Sequence, residues 1–440
     1  LALVGIALAF AGNIVAYGNS GPAFQNMIVI DSYGTFFRGL VLVVGFLCIL
    51  MSFGYLARED AQSGEYYALI LFSIVGQCVL ATASDLIMVF IGLEISSIAT
   101  YILAGYLRDD RRNNESALKY FLLGSFATAF LLYGIAWIYG LTGSTKLDEI
   151  QRVLSGQHPS VLAGLAASLI FVGLAFKVSV APFQIWAPDV YQGAAAPVSA
   201  FMSAGPKAAA FAIFFRLFMT SFGPLNERWI PVVWGCALLS MIIGNFAALV
   251  QTNVKRLLGY SSIAHAGYIL VALTSDSQIG MAAAMFYLAS YALMNIGAFA
   301  VVTHVAGRNE KHVRIEDLAG LAKREPATAA LLSVFVFSLI GIPLTAGFFA
   351  KFYIFQAALD SHLVWLTVLG LVNSAIAAYY YLKIIVAMYM HEPGESMQDL
   401  TPASFSLRVA IWASAIGVLV LGIFPSTLLS FVSFSAATFR

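Results

Sequence analysis

Charge is what this sequence has least of. Lys, Arg, Asp and Glu make up 10% of its 440 residues, against about a quarter in a soluble globular domain. With 23 basic and 22 acidic side chains the formal net charge is +1. That leaves no field to gather nucleic acid or an acidic partner. Only three cysteines occur, Cys48, Cys78 and Cys236. Each lies in an apolar run and none belongs to a Cys-x-x-Cys pair. Zinc and iron–sulfur sites need clustered thiolates, so the pattern predicts packing cysteines, with no metal, cluster or disulfide in this chain. There is no Gly-x-x-x-x-Gly-Lys-Ser/Thr phosphate loop and no evident catalytic triad, so the chain carries no evident redox or phosphoryl chemistry of its own. Residue 1 opens directly on an apolar stretch, with no basic segment and no cleavage site. This speaks against an intact signal peptide and for a chain that begins part-way into a longer one.

What the sequence does have is apolar length. It is 60% hydrophobic, with 34 Phe, and a helix crossing the hydrocarbon core needs roughly 20 apolar residues. That ruler predicts an all-α polytopic membrane protein in a single membrane domain. About thirteen spans are expected, near 1–17, 34–57, 66–84, 86–107, 115–142, 161–180, 195–222, 229–250, 257–274, 279–305, 327–357, 362–390 and 407–433. Loop charge sets orientation. The loops after the even-numbered spans hold twelve basic residues (Arg58, Arg108, Arg111, Arg112, Lys255, Arg256, Arg308, Lys311, Arg314, Lys323, Arg324, Arg408), and the opposite loops hold Lys146, Arg152 and Arg228. The first set is expected on the cytoplasmic side, which puts residue 1 inside and Arg440 outside. The longest connection, about Gly307 to Pro326, reads as a solvated loop or as a docking surface for a neighbouring subunit.

Two long spans carry helix breakers in mid-membrane. One is Phe176-Lys177-Val178-Ser179-Val180-Ala181-Pro182-Phe183; the other runs from Gly341-Ile342-Pro343 to Lys351. Proline removes a donor and clashes with the preceding turn. Carbonyls freed there must line protein or a wet cavity, not lipid. Each break adjoins a lysine. The breaks are five spans apart in this count, so the two segments run in opposite directions, as in inverted repeats around an ion pathway. Two ordinary proline kinks are the plainer alternative.

Charges at the bilayer centre are costly and usually functional. Lys177, Lys207 and Lys351 are expected deep, and a desolvated lysine can titrate near neutrality as a proton relay requires. The plainer alternative is a lysine that snorkels to an interface. Glu94 is the one acid near the middle of a span. Paired with Lys177 it would hold that lysine protonated; separation would release the proton. A protonated structural acid is the alternative. Glu115 and Lys119 form a favourable i,i+4 pair at the cytoplasmic start of the fifth span, either a helix-stabilising pair or a proton entrance. His265, among Ser and Tyr hydroxyls, suits a relay or a satisfied core position. Arg38, Arg216 and Lys383 read as snorkelling anchors and Asp85 as structural. His304, His312, His362 and His391 read as peripheral.

The stretch from Gly173-Leu174-Ala175-Phe176-Lys177 through Ala187-Pro188-Asp189-Val190-Tyr191-Gln192-Gly193 to Phe201 resembles the core motif of the antiporter-like subunits of respiratory complex I, the proton-translocating NADH:quinone oxidoreductase. So does Asn253-Val254-Lys255-Arg256 through His265-Ala266-Gly267-Tyr268. Asp-Val-Tyr-Gln-Gly, Pro206-Lys207 and lysine at 351 resemble the N branch of that family rather than M and L. Ala195 departs from a proline frequent in that family, which puts nothing catalytic in doubt. The resemblance covers nearly the whole chain. It implies fourteen core helices, the first missing here, with two inverted five-helix repeats, about 66–222 and 229–390, and a C-terminal helix at 407–433. It implies proton transfer through Glu94, Lys177, Lys207 and Lys351, with His265, Glu115 and Lys119 on the path. Protons would enter near Glu115–Lys119, pass by Lys207 and His265, and leave at Lys351. It further implies FMN, iron–sulfur clusters and quinone in partner subunits and no cofactor in this chain. Subunits M and K would flank it in a bacterial inner membrane, with lipid around. A multi-subunit cation/proton antiporter, a stand-alone ion-coupled transporter and a hydrogenase- or ferredoxin-driven complex remain as rivals.

Overall fold

Helices begin where the sequence supplies an oxygen for the first free amides. In the computed structural model, which describes residues 1–156, 160–398 and 400–439, Asp31, Ser63, Asp85, Asp110, Ser160, Asn253, Ser277 and Ser404 each accept from a backbone N–H in the first turn of a helix. Arg440, expected on the side opposite the cytoplasm, lies outside the described residues.

The chain opens with α1 (Ala2–Tyr17) and a short hairpin, β1 (Gly21–Ala23) and β2 (Ile28–Ile30), in which Gly21 faces Ile30. There follow α2 (Ser32–Arg58), α3 (Gly64–Thr82), α4 (Leu86–Ala104), α5 (Arg111–Thr142), the short α6 (Leu147–Gly156), α7 (Val161–Lys177), α8 (Trp186–Gly193) and α9 (Ala196–Arg216). A π turn, Leu217–Ser221, extends α9. Next come α10 (Asn226–Leu249), α11 (Val254–Thr274), α12 (Gln278–Val305), the short α13 (Leu321–Arg324), α14 (Pro326–Ile340), α15 (Ala346–Asp360) and α16 (Val364–Met390). The short α17 (Glu395–Gln398), α18 (Phe405–Ile423) and α19 (Ser426–Ala437) complete the chain.

Among the described residues ten helices are long and apolar enough to cross a membrane: α2, α3, α4, α5, α9, α10, α11, α12, α16 and α18. The helices α1, α7, α14 and α19 are apolar but shorter. One expectation fails at the C-terminus. A single helix over 407–433 is divided into α18 and α19 at Phe424-Pro425, because proline has no N–H with which to continue the first helix.

Helices α9, α11 and α12 form the centre and are almost wholly buried. Around them α5, α16 and α18 bury one side and turn Phe126, Tyr133, Trp365, Leu371, Trp412 and Ile416 outward. A continuous apolar exterior of this kind suits lipid as the solvent. Close approach at the centre depends on small residues. A Cβ on Gly244 of α10 would lie 2.6 Å from the backbone nitrogen of Ala264 on α11.

Candidate functional site

The ionisable groups expected inside the membrane fall in two sets, Glu94 and Lys177 among α4, α5 and α7, and Lys207, His265 and Lys351 on or against α9 and α11. Lys177 is the last residue of α7. Its Nζ donates to Ser97 Oγ at 2.9 Å and to Tyr120 OH at 3.0 Å. It also sits over the rings of Tyr120, at 5.1 Å, and Tyr101, at 5.6 Å. A cation at a helix C-terminus meets the negative end of the macrodipole, and the ring faces add attraction. Trp186 Nε1 donates to the freed Phe176 carbonyl at 2.9 Å and stacks on Tyr120. The first break is therefore closed by a polar and aromatic cage, not left to lipid.

Glu94 lies one turn before Ser97 on α4 and is half-buried. Its Oε1 accepts from Thr128 Oγ1 at 2.8 Å. The expected contact pair is not made here. Thr128 of α5 takes the carboxylate, Ser97 takes the ammonium, and no ion pair among the described residues joins Glu94 to Lys177.

Lys207 is enclosed in α9 and donates to Ser262, to the backbone oxygen at 3.0 Å and to Oγ at 2.5 Å. Three residues along α11, His265 shares a hydrogen bond with Tyr287 OH through Nδ1, at 2.6 Å, and with Tyr381 OH through Nε2, at 3.4 Å. Tyr381 OH in turn pairs with Ser261 Oγ.

Lys351 lies on α15. Its Nζ donates to Leu339 O at 3.1 Å, Ile340 O at 2.8 Å and Ser374 Oγ at 2.8 Å, and it faces the Tyr268 ring at 5.0 Å. Leu339 and Ile340 close α14, where the second break leaves carbonyls without helical partners. The lysine completes that helix end. The break itself needs glycine, since Gly341 has φ +94° and an added Cβ would lie 3.1 Å from Lys351 Cδ.

Glu115 and Lys119 face outward. Their 2.6 Å pair joins side chains that are 64% and 40% exposed, and Lys119 also reaches Asp189 at 2.8 Å. Asp189 receives Arg256 at 2.5 Å. Burial works against ionisation of Asp189, but hydrogen bonds from Lys119 and Arg256 outweigh it and hold the carboxyl below its ordinary range.

Three groups are misplaced by the sequence reading. Lys255 counts there as a loop cation, yet it is fully buried on the first turn of α11. Its Nζ donates to Glu310 Oε2 at 2.5 Å and to Ala194 O. Arg216, expected to snorkel, is buried; it donates to Asp31 at 2.8 Å and faces the Tyr33 ring. A nearby carboxylate makes burial possible where lipid headgroups were expected to serve. His304, expected peripheral, is buried 2.9 Å from Glu325. No local signal marks these pairs, whose members are 55, 185 and 21 residues apart. Asp85 is structural as expected: it caps α4 and accepts from Thr145 Oγ1 at 2.7 Å. Among the described residues no three His, Cys, Asp or Glu side chains are grouped to hold a metal ion.

A family profile described as NADH:quinone oxidoreductase/Mrp antiporter, TM, matches residues 83–377. The chain is 60% identical over 443 residues to NADH-quinone oxidoreductase subunit N 1 of Solibacter usitatus, covering 100% of this chain and 91% of that one. A chain of respiratory complex I from Thermus thermophilus with bound aureothin superposes with a TM-score of 0.84 at 36% identity, covering 98% of this chain and 92% of that one. A chain of the Mrp complex from Dietzia gives 0.88 at 21% identity, covering 100% and 91%, a likeness of fold. This chain belongs to the family of NADH:quinone oxidoreductase/Mrp antiporter membrane proteins. Within it, the full-length identity places the chain in the subunit N group.

Proposed function

We propose that the chain is the N-type, antiporter-like membrane subunit of a proton-pumping NADH:quinone oxidoreductase. The observation that carries the reading is the set of partners around Lys177, Lys207 and Lys351. Each is buried, and each is held by hydroxyls, carbonyls or ring faces instead of a carboxylate. A lysine so held can lose its proton without leaving a buried anion unpaired. The subunit is one part of an enzyme whose electron transfer, with FMN, iron–sulfur clusters and quinone, takes place in partner subunits. Subunits M and K flank it.

Adding α1, the broken α7 and the broken α14–α15 to the ten long helices gives thirteen crossings of the bacterial inner membrane. Residues 66–222 and 229–390 form the two inverted repeats. The Arg- and Lys-rich loops face the cytoplasm and the C-terminus the periplasm. A proton enters near Glu115–Lys119, loads Lys177, and moves through Lys207 and His265 to Lys351. Glu94 and Lys177 close and open as a pair. The coupling between neighbours is electrostatic, so their titrations belong to the network.

The fold likeness to the Mrp complex favours one second reading, a cation/proton antiporter subunit. Isolation through an affinity tag on this chain separates the two. The tagged chain is expected in a complex that oxidises NADH, reduces quinone and acidifies vesicles. A complex that exchanges cations for protons and does not oxidise NADH would overturn the reading.

A further inference from the structure

On the Arg- and Lys-rich face a basin of about 750 Å³ opens among Glu59, Asp60, Arg108 and Asp110. Tyr55 and Glu310 also line it, and both are buried, Glu310 to 7% exposure. The Glu310 carboxylate is thus a buried acid of the basin, and it is the one that meets Lys255. Its Oε1 accepts from Tyr55 OH at 2.9 Å and from the Ala196 amide at 2.7 Å, and its Oε2 accepts from Lys255 Nζ at 2.5 Å. The loop places it at some cost. Asn309 and Glu310 adopt φ of +57° and +48°, a left-handed conformation that residues other than glycine rarely take. Asn309 is held there by Glu59, which accepts its amide at 3.0 Å, and by Arg112, which donates to its carbonyl at 2.9 Å.

Inward from Glu310 the polar side chains fall into rows. Ala196 is the first residue of α9, and Ser199, Ser203 and Lys207 follow at intervals of three to four along one face. On α12, Asn295, Tyr291 and Tyr287 form a second row at an interval of four, the spacing that stacks side chains on one helix face. The rows meet where Asn295 Nδ2 donates to Ser203 Oγ at 2.6 Å, and the second row ends on His265. Between them Asn295 Oδ1 is buried with no protein partner. The phenols of Tyr191 and Tyr291 flank Ser262, the residue that holds Lys207, without a close hydrogen bond. Buried polar atoms in such a setting are normally satisfied by ordered water.

We infer that Glu310 and Lys255 form a proton inlet that delivers protons from the basin to Lys207 along the Ser199–Ser203–Asn295 column. This rests on the proton-path reading above and adds a second entrance to that at Glu115–Lys119. The step balances. A proton taken up by the Glu310 carboxylate cancels its charge. Lys255, no longer facing an anion, passes its own proton inward to neutral Lys207. Transfer of the carboxyl proton to the free amine then restores the ion pair.

The test uses the assembled complex in vesicles, with quinone reduction and acidification recorded together. Glu310→Gln keeps the contacts to Tyr55 and Ala196 but cannot take up a proton. Both rates are expected to fall roughly tenfold or more, and Glu310→Asp is expected to retain more of each. Full rates in assembled Glu310→Gln, or equal defects in the Gln and Asp variants, overturn the inlet. Should Glu310→Gln fail to assemble, Lys255→Met with Glu310→Gln removes both charges at once. Slow turnover in that double variant supports the inlet, and full turnover overturns it. On the unaltered complex, a water-soluble carbodiimide added from the basin side and read by peptide mass spectrometry needs no substitution. Modification of Glu310 with parallel loss of pumping is expected; an untouched Glu310 beside modified Asp60 overturns the proposal. Lys177→Ala is run alongside. If it abolishes turnover while the Glu310 variants do not, the inlet alone falls. If it has no effect, the underlying path falls.

Discussion

Replacing Lys255 with alanine is expected to destabilise the chain by about 3–5 kcal/mol, the typical cost of removing one partner from a buried ion pair. Glu310 would keep Tyr55 and the Ala196 amide but lose the Lys255 ammonium, which meets it at 2.5 Å. The α11 start, the α9 start and α2 all meet at this carboxylate, through Lys255, Ala196 and Tyr55. The expected result is little assembled complex on a native gel and a lower thermal midpoint for what remains. Lys255→Met combined with Glu310→Gln is expected to restore most of the assembly, since neutral residues of similar volume leave no buried charge unmatched.

Lys351→Ala is expected to leave assembly intact and to lower quinone reduction and acidification together, by about tenfold or more. Its ammonium has three acceptors, two of them the terminal carbonyls of α14. On the proposed path the variant removes the group that would take a proton from the His265 region, and it also leaves Leu339 and Ile340 without their donor. Lys351→Arg keeps the donors but not a group that titrates in a protein. Arginine is therefore expected to match wild type in thermal stability and to match alanine in turnover. Recovery of turnover with arginine would assign Lys351 to structure.

Much of this arrangement is legible in the sequence, for a physical reason. Apolar length and basic loops follow directly from the bilayer, so the long helices stand close to where the runs of residues place them. Lys177, Lys207 and Lys351 stand out because a lysine inside an apolar run is too costly to be incidental. The breaks at Pro182 and Pro343 stand out for the missing N–H. Pairing is another matter, since it depends on residues far apart in the chain. Lys255 sits at a span edge and reads as a loop cation, and Glu310 lies in a polar connection; only folding brings them together. Arg216 looks like an anchor until Asp31, at the start of α2, is seen to meet it. For Glu94 and Lys177 the sequence suggests a direct contact, and the fold supplies neutral partners instead, Thr128 for the carboxylate and Ser97 for the ammonium. Pro425 carried its own signal, and a 27-residue apolar run concealed it.

The central claim is that protons driven by electron transfer pass through the buried lysines of this chain. The most direct measurement is Lys177→Ala in the assembled complex, with quinone reduction and vesicle acidification followed in the same preparation. A fall of both rates with the complex intact is the result the account predicts. Electron transfer and pumping that both persist would make Lys177 a buried structural lysine and contradict the account.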